Sequence, residues 1–173
     1  MSKRLFFSTE HFSLNEFVRS ATAKRLGIDN TPTEEAVDNL RFLTEELLEP
    51  LRVQWGRPIR VNSGYRSEAL NRAVGGSRTS QHMRGEAADI SAESPVMNNR
   101  LMIRLLFSGL PFDQLIAEEV DEMNCPRWLH VSIVNRQRGY GNTNRKNRHE
   151  VLVKRKAGVV PYEGWRTEEG EEE

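Results

Sequence analysis

The sequence predicts an α+β fold: a small, mainly antiparallel sheet with helices packed around it. Two observations carry that reading. Three stretches, residues 14–26, 34–55 and 95–108, repeat apolar residues at helical spacing. Four short runs, residues 59–62, 87–90, 112–118 and 128–134, have the length and alternation of strands. The last two are joined by a short polar loop, so they are expected to pair as an antiparallel hairpin.

Each element has a local cause. Ser13-Leu14-Asn15-Glu16 reads as a capping box, with Ser13 as N-cap and Glu16 three residues on. The first helix is expected over 14–26, with Leu14, Phe17, Val18, Ala21 and Leu26 near one stripe and Gly27 ending it. Thr33 can cap the second helix, 34–55, in which Val37, Leu40, Leu43, Leu47, Leu48 and Leu51 keep helical spacing. Pro50 lies inside that pattern and should kink it. A short helix follows the polar turn at residues 63–67. The third long helix, 95–108, starts at Ser94-Pro95, an N-cap followed by proline at the first helical position. A further short strand is expected at Val151-Leu152-Val153.

Length and composition bound the function. At 173 residues the chain is expected to form one domain over 1–165, followed by an acidic, disordered tail at 166–173. Twenty-five basic residues balance 25 acidic ones, so no global field points to nucleic acid or membrane. One cysteine, Cys125, rules out a disulfide framework. No run approaches the roughly 18 apolar residues of a membrane span, and the N-terminus has no signal-peptide core. The expectation is a product made in the cytoplasm without a signal peptide.

The chemistry is concentrated in Ser80-Gln81-His82-Met83-Arg84-Gly85-Glu86-Ala87-Ala88-Asp89. Ala87 and Asp89 share one face of the strand that ends this segment. Gly85 permits a sharp bend that would bring His82 back over that face. An imidazole and a carboxylate are a common first half of a zinc site. His130, in the strand at 128–134, is the candidate third ligand. Two histidines and one aspartate leave a fourth position open, as catalytic zinc requires.

In combination these residues resemble the zinc D-Ala-D-Ala peptidase family, whose fold is shared with the hedgehog signalling domain. The resemblance lies in Ser80-x-His82-x-x-Gly85-x-Ala87-x-Asp89 and, some forty residues on, Trp128-x-His130-Val131-Ser132. Ser63-Gly64-Tyr65-Arg66-Ser67, Leu70-Asn71-x-x-Val74-Gly75-Gly76-Ser77 and Phe112-Asp113-Gln114-Leu115-Ile116 match as well. The segment Phe12-Ser13-Leu14-x-Glu16-Phe17 and the Pro50-Leu51-Arg52 helix resemble the carboxypeptidase-like branch. The family includes D,D-carboxypeptidases, D,D-dipeptidases and the L-alanyl-D-glutamate endolysins of phage.

The resemblance implies Zn2+ held by His82, Asp89 and His130. It implies Arg66 as the cation that binds a substrate carboxylate or steadies the oxyanion. It implies hydrolysis of a peptide bond in the peptidoglycan stem. Without a signal peptide, a phage or prophage lytic enzyme or tail-associated protein, released by lysis or carried on a virion, is the natural setting.

The general base departs from the family pattern. Many relatives carry an acid three positions before the last zinc histidine, and here that position is Arg127, which cannot accept a proton. If Glu118 pairs with Trp128 across the hairpin, then Ile116 faces His130 and Glu118 lies beside it. A one-residue slip would favour Glu119 instead. Loss of the base would leave a non-catalytic zinc-binding module on the same fold. The basic stretch 136–156 reads either as a solvated loop or as a surface for polyanions. It has no aromatic residue between Tyr140 and Tyr162, so a base-stacking nucleic-acid platform is not expected.

Overall fold

A six-stranded sheet forms the centre of the computed structural model, which describes residues 6–135 and 146–163. The strands are β1 (Arg60–Ser63), β2 (Ala87–Ser91), β3 (Gln114–Glu118), β4 (Trp128–Ser132), β5 (Glu150–Arg155) and β6 (Gly158–Pro161). They lie in the order β1-β2-β4-β3-β5-β6. Every neighbouring pair is antiparallel except β3 with β5, which is parallel. The expected tail at 166–173 and much of the basic stretch fall outside the described residues.

Of the two registers weighed from the sequence, the hairpin forms the one that favours Glu118: Ile116 lies opposite His130, and Glu118 opposite Trp128. Period-2 alternation then gives the sheet two unlike faces. Ala88, Ile90, Leu115, Ala117, Leu129, Val131 and Val153 are buried on one. They join Phe17, Leu40, Leu43, Leu47, Leu48, Leu51, Leu101, Met102 and Leu105 in one hydrophobic cluster. Asp89, Ile116, Glu118, Trp128 and His130 belong to the other face and line a cleft.

The helical stretches form with three corrections. Residues 14–26 make two short helices, α1 (Leu14–Val18) and α2 (Ala21–Leu26). The break at Arg19-Ser20 arises because Ser20 acts as a new N-cap, its hydroxyl accepting from the Ala23 N–H at 3.1 Å. Leu26 is consequently exposed rather than part of the core stripe. The second stretch runs as α3 (Glu34–Leu43), a π-helical turn (Thr44–Leu48) and α4 (Glu49–Trp55). The wide turn comes just before Pro50, where the missing N–H and the ring would disrupt a regular ladder. A short helix, α5 (Glu68–Ala73), follows β1. The third long helix, α6 (Pro95–Leu106), is capped by Ser94, whose hydroxyl accepts from the Met97 N–H. Its apolar spacing covers more than the buried side: Leu101 and Leu105 are buried, whereas Val96, Ile103 and the following Phe107 are exposed.

The 3-10 turn Gln81–Arg84 is wedged against α3. Gly85 caps it with φ of 71°. A Cβ at Gly85 would lie 2.3 Å from the Ala36 carbonyl oxygen, closer than any side chain tolerates. The Asn39 side chain adds a hydrogen bond from its Nδ2 to the Arg84 carbonyl at 2.8 Å. Gly85→Ala therefore combines backbone strain with a clash, and should destabilise the protein by about 2–4 kcal/mol in urea denaturation. Gly27 has φ of 64° but open space around it, so Gly27→Ala should cost only about 1 kcal/mol. Equal losses at the two positions would contradict the close packing at Gly85.

Candidate metal centre

Three side chains converge on the open face of the sheet. Asp89 and His130 are directly paired across β2 and β4. His82 comes back over them from the 3-10 turn, by the bend expected at Gly85. The His82 Nε2 lies 3.2 Å from Asp89 Oδ1. The His130 Nδ1 lies 3.1 Å from the same oxygen. The two imidazole nitrogens are 3.1 Å apart. The donor atoms thus form a near-equilateral triangle. Tetrahedral zinc with bonds of about 2.0–2.1 Å has ligand atoms about 3.3 Å apart, so the triangle has the right size.

The protonation pattern supports the same reading. His82 Nδ1 lies 2.6 Å from the Gly64 carbonyl, which can only accept, so Nδ1 carries the proton. Burial pushes the imidazole below its ordinary pKa, outweighing the opposite pull of Asp89. Nε2 of the neutral ring then presents a lone pair to the triangle, beside an anionic oxygen. Burial also penalises the Asp89 carboxylate, and positive charge on the imidazole side of the triangle holds its carboxyl far below the usual range; a cation there supplies that charge in place of imidazole protons. Lone pairs facing one another inside a protein suit a cation between them, and this donor set fits zinc. Among the described residues one other group could hold an ion, Glu10, His11 and Glu49, but it is more exposed. There the Glu49 carboxylate already takes hydrogen bonds from Thr9 and His11.

Arg66 is held beside the triangle. Its Nη2 donates to Asp89 Oδ2 at 2.9 Å and its Nε to Ser63 Oγ at 3.2 Å. Its backbone N–H bonds the His82 carbonyl. Asn30 fixes the same loop, donating to the Tyr65 carbonyl and accepting from the Ser67 N–H. The structure therefore joins Arg66 to the aspartate as a supporting partner, a contact that sequence reasoning had not assigned.

Glu118 lines the cleft and is nearly buried, with Lys154 Nζ 3.0 Å from its Oε2. That contact is an ion pair without hydrogen-bond geometry, since Oε2 has no hydrogen-bond partner. Glu119 leaves the strand with φ of 49° and pairs with Arg127 on the surface at 2.9 Å. Arg127 also stacks its guanidinium 5.9 Å from the Trp128 ring. Of the two candidate bases, Glu118 has the enclosed position.

The cleft has a volume of about 1690 Å³, above the roughly 300–1,000 Å³ of small-ligand sites, which suits an extended chain. One part of its lining was not legible in the sequence. Asp113, from the Phe-Asp-Gln-Leu-Ile run, is buried and accepts hydrogen bonds from Gln81, from the Arg148 backbone and from the Arg148 guanidinium. Gln81 immediately precedes His82, so one carboxylate ties the histidine turn, β3 and the basic segment together.

A family model described as Peptidase M15 matches residues 10–117. That span includes His82 and Asp89 and ends one residue before Glu118; His130 follows on β4. No curated protein matches the chain.

Burial pushes the Asp113 carboxyl up, but the hydrogen bonds and charge of Arg148, with the bond from Gln81, hold it below the usual range. A depressed carboxyl stabilises the fold above its unfolded pKa of about 3.9, and that stability is lost as pH falls through the folded value. Arg148→Met should cost about 2 kcal/mol at pH 7. The difference from wild type should shrink below about pH 4, as followed by denaturation at a series of pH values. A loss independent of pH would show that Arg148 acts through packing alone.

Proposed function

The chain belongs to the peptidase M15 family of zinc-dependent metallopeptidases acting on cell-wall peptides, and from that premise we propose that it hydrolyses a peptide bond in the peptidoglycan stem. The observation that carries this reading is the triangle of His82 Nε2, Asp89 Oδ1 and His130 Nδ1 in the wall of a large cleft. These three residues would hold the zinc. When bound, zinc supplies a Lewis acid that polarises a carbonyl and makes water a better nucleophile.

The chain's own residues divide the remaining work. The Gly64 carbonyl fixes the His82 ring, and Arg66 fixes the second Asp89 oxygen, so the donor atoms need not reorganise. Arg66, on the cleft wall, also orients a substrate carboxylate by charge and directed N–H groups. Glu118 accepts a proton from the attacking water and returns it to the leaving amine. Lys154 holds the Glu118 carboxylate in place over the cleft. Among the described residues no helix is long and apolar enough to cross a membrane. A phage or prophage lytic enzyme, or a tail-associated protein, of the D,D-carboxypeptidase or endopeptidase type is the setting we propose.

The Lys154 ion pair also favours a second reading. A carboxylate tied to a lysine is less free to reach a water in the cleft, which would suit a non-catalytic zinc-binding module. Digestion of purified peptidoglycan separates the two. The zinc-loaded wild type should release new termini, identified by mass spectrometry, and His82→Ala should release none. Identical fragments from both would exclude a mechanism through this triangle. Glu118→Gln should lower kcat by about 10²–10⁴-fold while zinc affinity stays at the wild-type value. Zinc binding with no turnover by wild type would establish the module instead.

A further inference from the structure

The cleft is strongly cationic although the chain as a whole is neutral. Basic and acidic residues number 25 each in the sequence. Eight basic residues and three acidic ones line the cleft. The three acids are already answered: Asp89 by Arg66, Asp113 by Arg148 and Glu118 by Lys154. Arg84 is taken by Glu86. Arg19, Lys24 and Arg60 are exposed and have no carboxylate partner among the described residues.

Two of these cations are built into the wall that carries Arg66. Asn30 donates its Nδ2 to the Val18 carbonyl at 2.9 Å and to the Tyr65 carbonyl at 3.1 Å. The Tyr65 N–H bonds the Phe17 carbonyl at 2.8 Å. Gly64 lies so close that a Cβ there would come within 2.6 Å of the Phe17 Cα. The end of α1 is therefore locked onto the loop before Arg66, and Arg19 and Arg66 each follow a residue held by the one Asn30 amide. Lys24, whose N–H bonds the Ser20 carbonyl at 3.1 Å, lies one turn beyond Ser20, and both line the cleft. Arg25, the next residue, is also exposed but does not line it. Arg66 has two of its three nitrogens engaged, by Asp89 and Ser63. Like charges gathered without counter-ions repel one another, and in a cleft they draw in an anion.

We propose that Arg19 and Lys24 form a second carboxylate subsite beside Arg66, so that the preferred substrate is an acidic peptide with a carboxylate in addition to the one Arg66 orients. The inference rests on the reading of the cleft as a peptide site. A guanidinium can grip a carboxylate through two parallel N–H bonds, and an ammonium adds a point charge. Because Asn30 clamps the end of α1 to the Arg66 loop, the two subsites keep a fixed relation to the metal triangle. Two carboxylates held at once set which amide of the peptide reaches the triangle, where a single charge would leave the peptide free to pivot.

The test uses the zinc-loaded full chain and synthetic stem peptides in which each carboxylate is converted in turn to a carboxamide. The amide keeps the shape and removes the charge. With wild type, two different conversions should each raise KM, on the order of fivefold. The double variant Arg19→Met/Lys24→Met should show the same rise on the fully acidic peptide and be indifferent to one of the two conversions. Its zinc content and thermal melting should stay close to wild type, and either single variant serves if the double one does not fold. Arg25→Met removes the same charge from α2 outside the cleft and should keep the wild-type KM. A wild-type KM in the folded, zinc-loaded double variant would overturn the proposal. So would an equal rise in Arg25→Met, the result expected if only net charge matters. An unchanged KM with weaker retention on whole cell wall would assign the two cations to an anionic wall polymer and overturn it as well. Failure of wild type to cleave any stem peptide would sink the peptidase reading itself. Cleavage sensitive to no more than one carboxylate removes only the second subsite.

Discussion

The close approach of Gly85 to the Ala36 backbone is the constraint on which the rest of the site depends. With no Cβ in the way and a left-handed φ, the chain reverses tightly against α3 and re-enters the sheet as β2. That reversal carries His82 over Asp89. Nothing else in the local sequence would bring an imidazole from a 3-10 turn onto the face of a strand that follows within a few residues. The Asn39 hydrogen bond to Arg84 and the Arg66 N–H bond to His82 brace the turn on either side.

The sheet converts this local bend into a site. Its apolar face packs on the helices and buries residues such as Ile90, Leu115, Leu129 and Val131. Burial of that face pins the register, because a one-residue slip would turn every apolar side chain to water. The same register places Asp89 opposite His130 and Glu118 opposite Trp128. The hydrophobic core thereby positions polar groups it never touches. Asp113 makes the complementary connection. It is buried at the start of β3 and holds Gln81 and Arg148, so the histidine turn and the segment leading into β5 share one anchor. A buried carboxylate of this kind is stable only because its oxygens are fully used by hydrogen bonds and a cation.

Much of the fold was legible because it follows from short-range rules. The Ser13–Glu16 capping box, the Thr33 and Ser94 caps, the hairpin register and the bend at Gly85 all depend on residues close in sequence. The errors share a cause. Residues 14–26 read as one helix because the apolar spacing continues through Ser20, although that serine supplies a cap. Val96, Ile103 and Phe107 fit a helical apolar set but face outward, since periodicity alone does not say which side meets the sheet. The parallel pairing of β3 with β5 and the strand β6 join segments with no local signal of partnership.

The sequence by itself determined the donor types and their spacing: an imidazole and a carboxylate separated by a bend, and a second imidazole on an alternating strand. Residue type and local geometry suffice for that, because ligand chemistry is a property of side chains and a glycine bend is a property of a few residues. Only the tertiary structure decided the second layer. That Gly64 sets the His82 proton, that Arg66 holds Asp89, that Lys154 meets Glu118 and that Asp113 holds the Gln81 amide are all contacts between distant segments. Their partners are chosen by how the helices and sheet pack, and no local pattern in the chain encodes that choice.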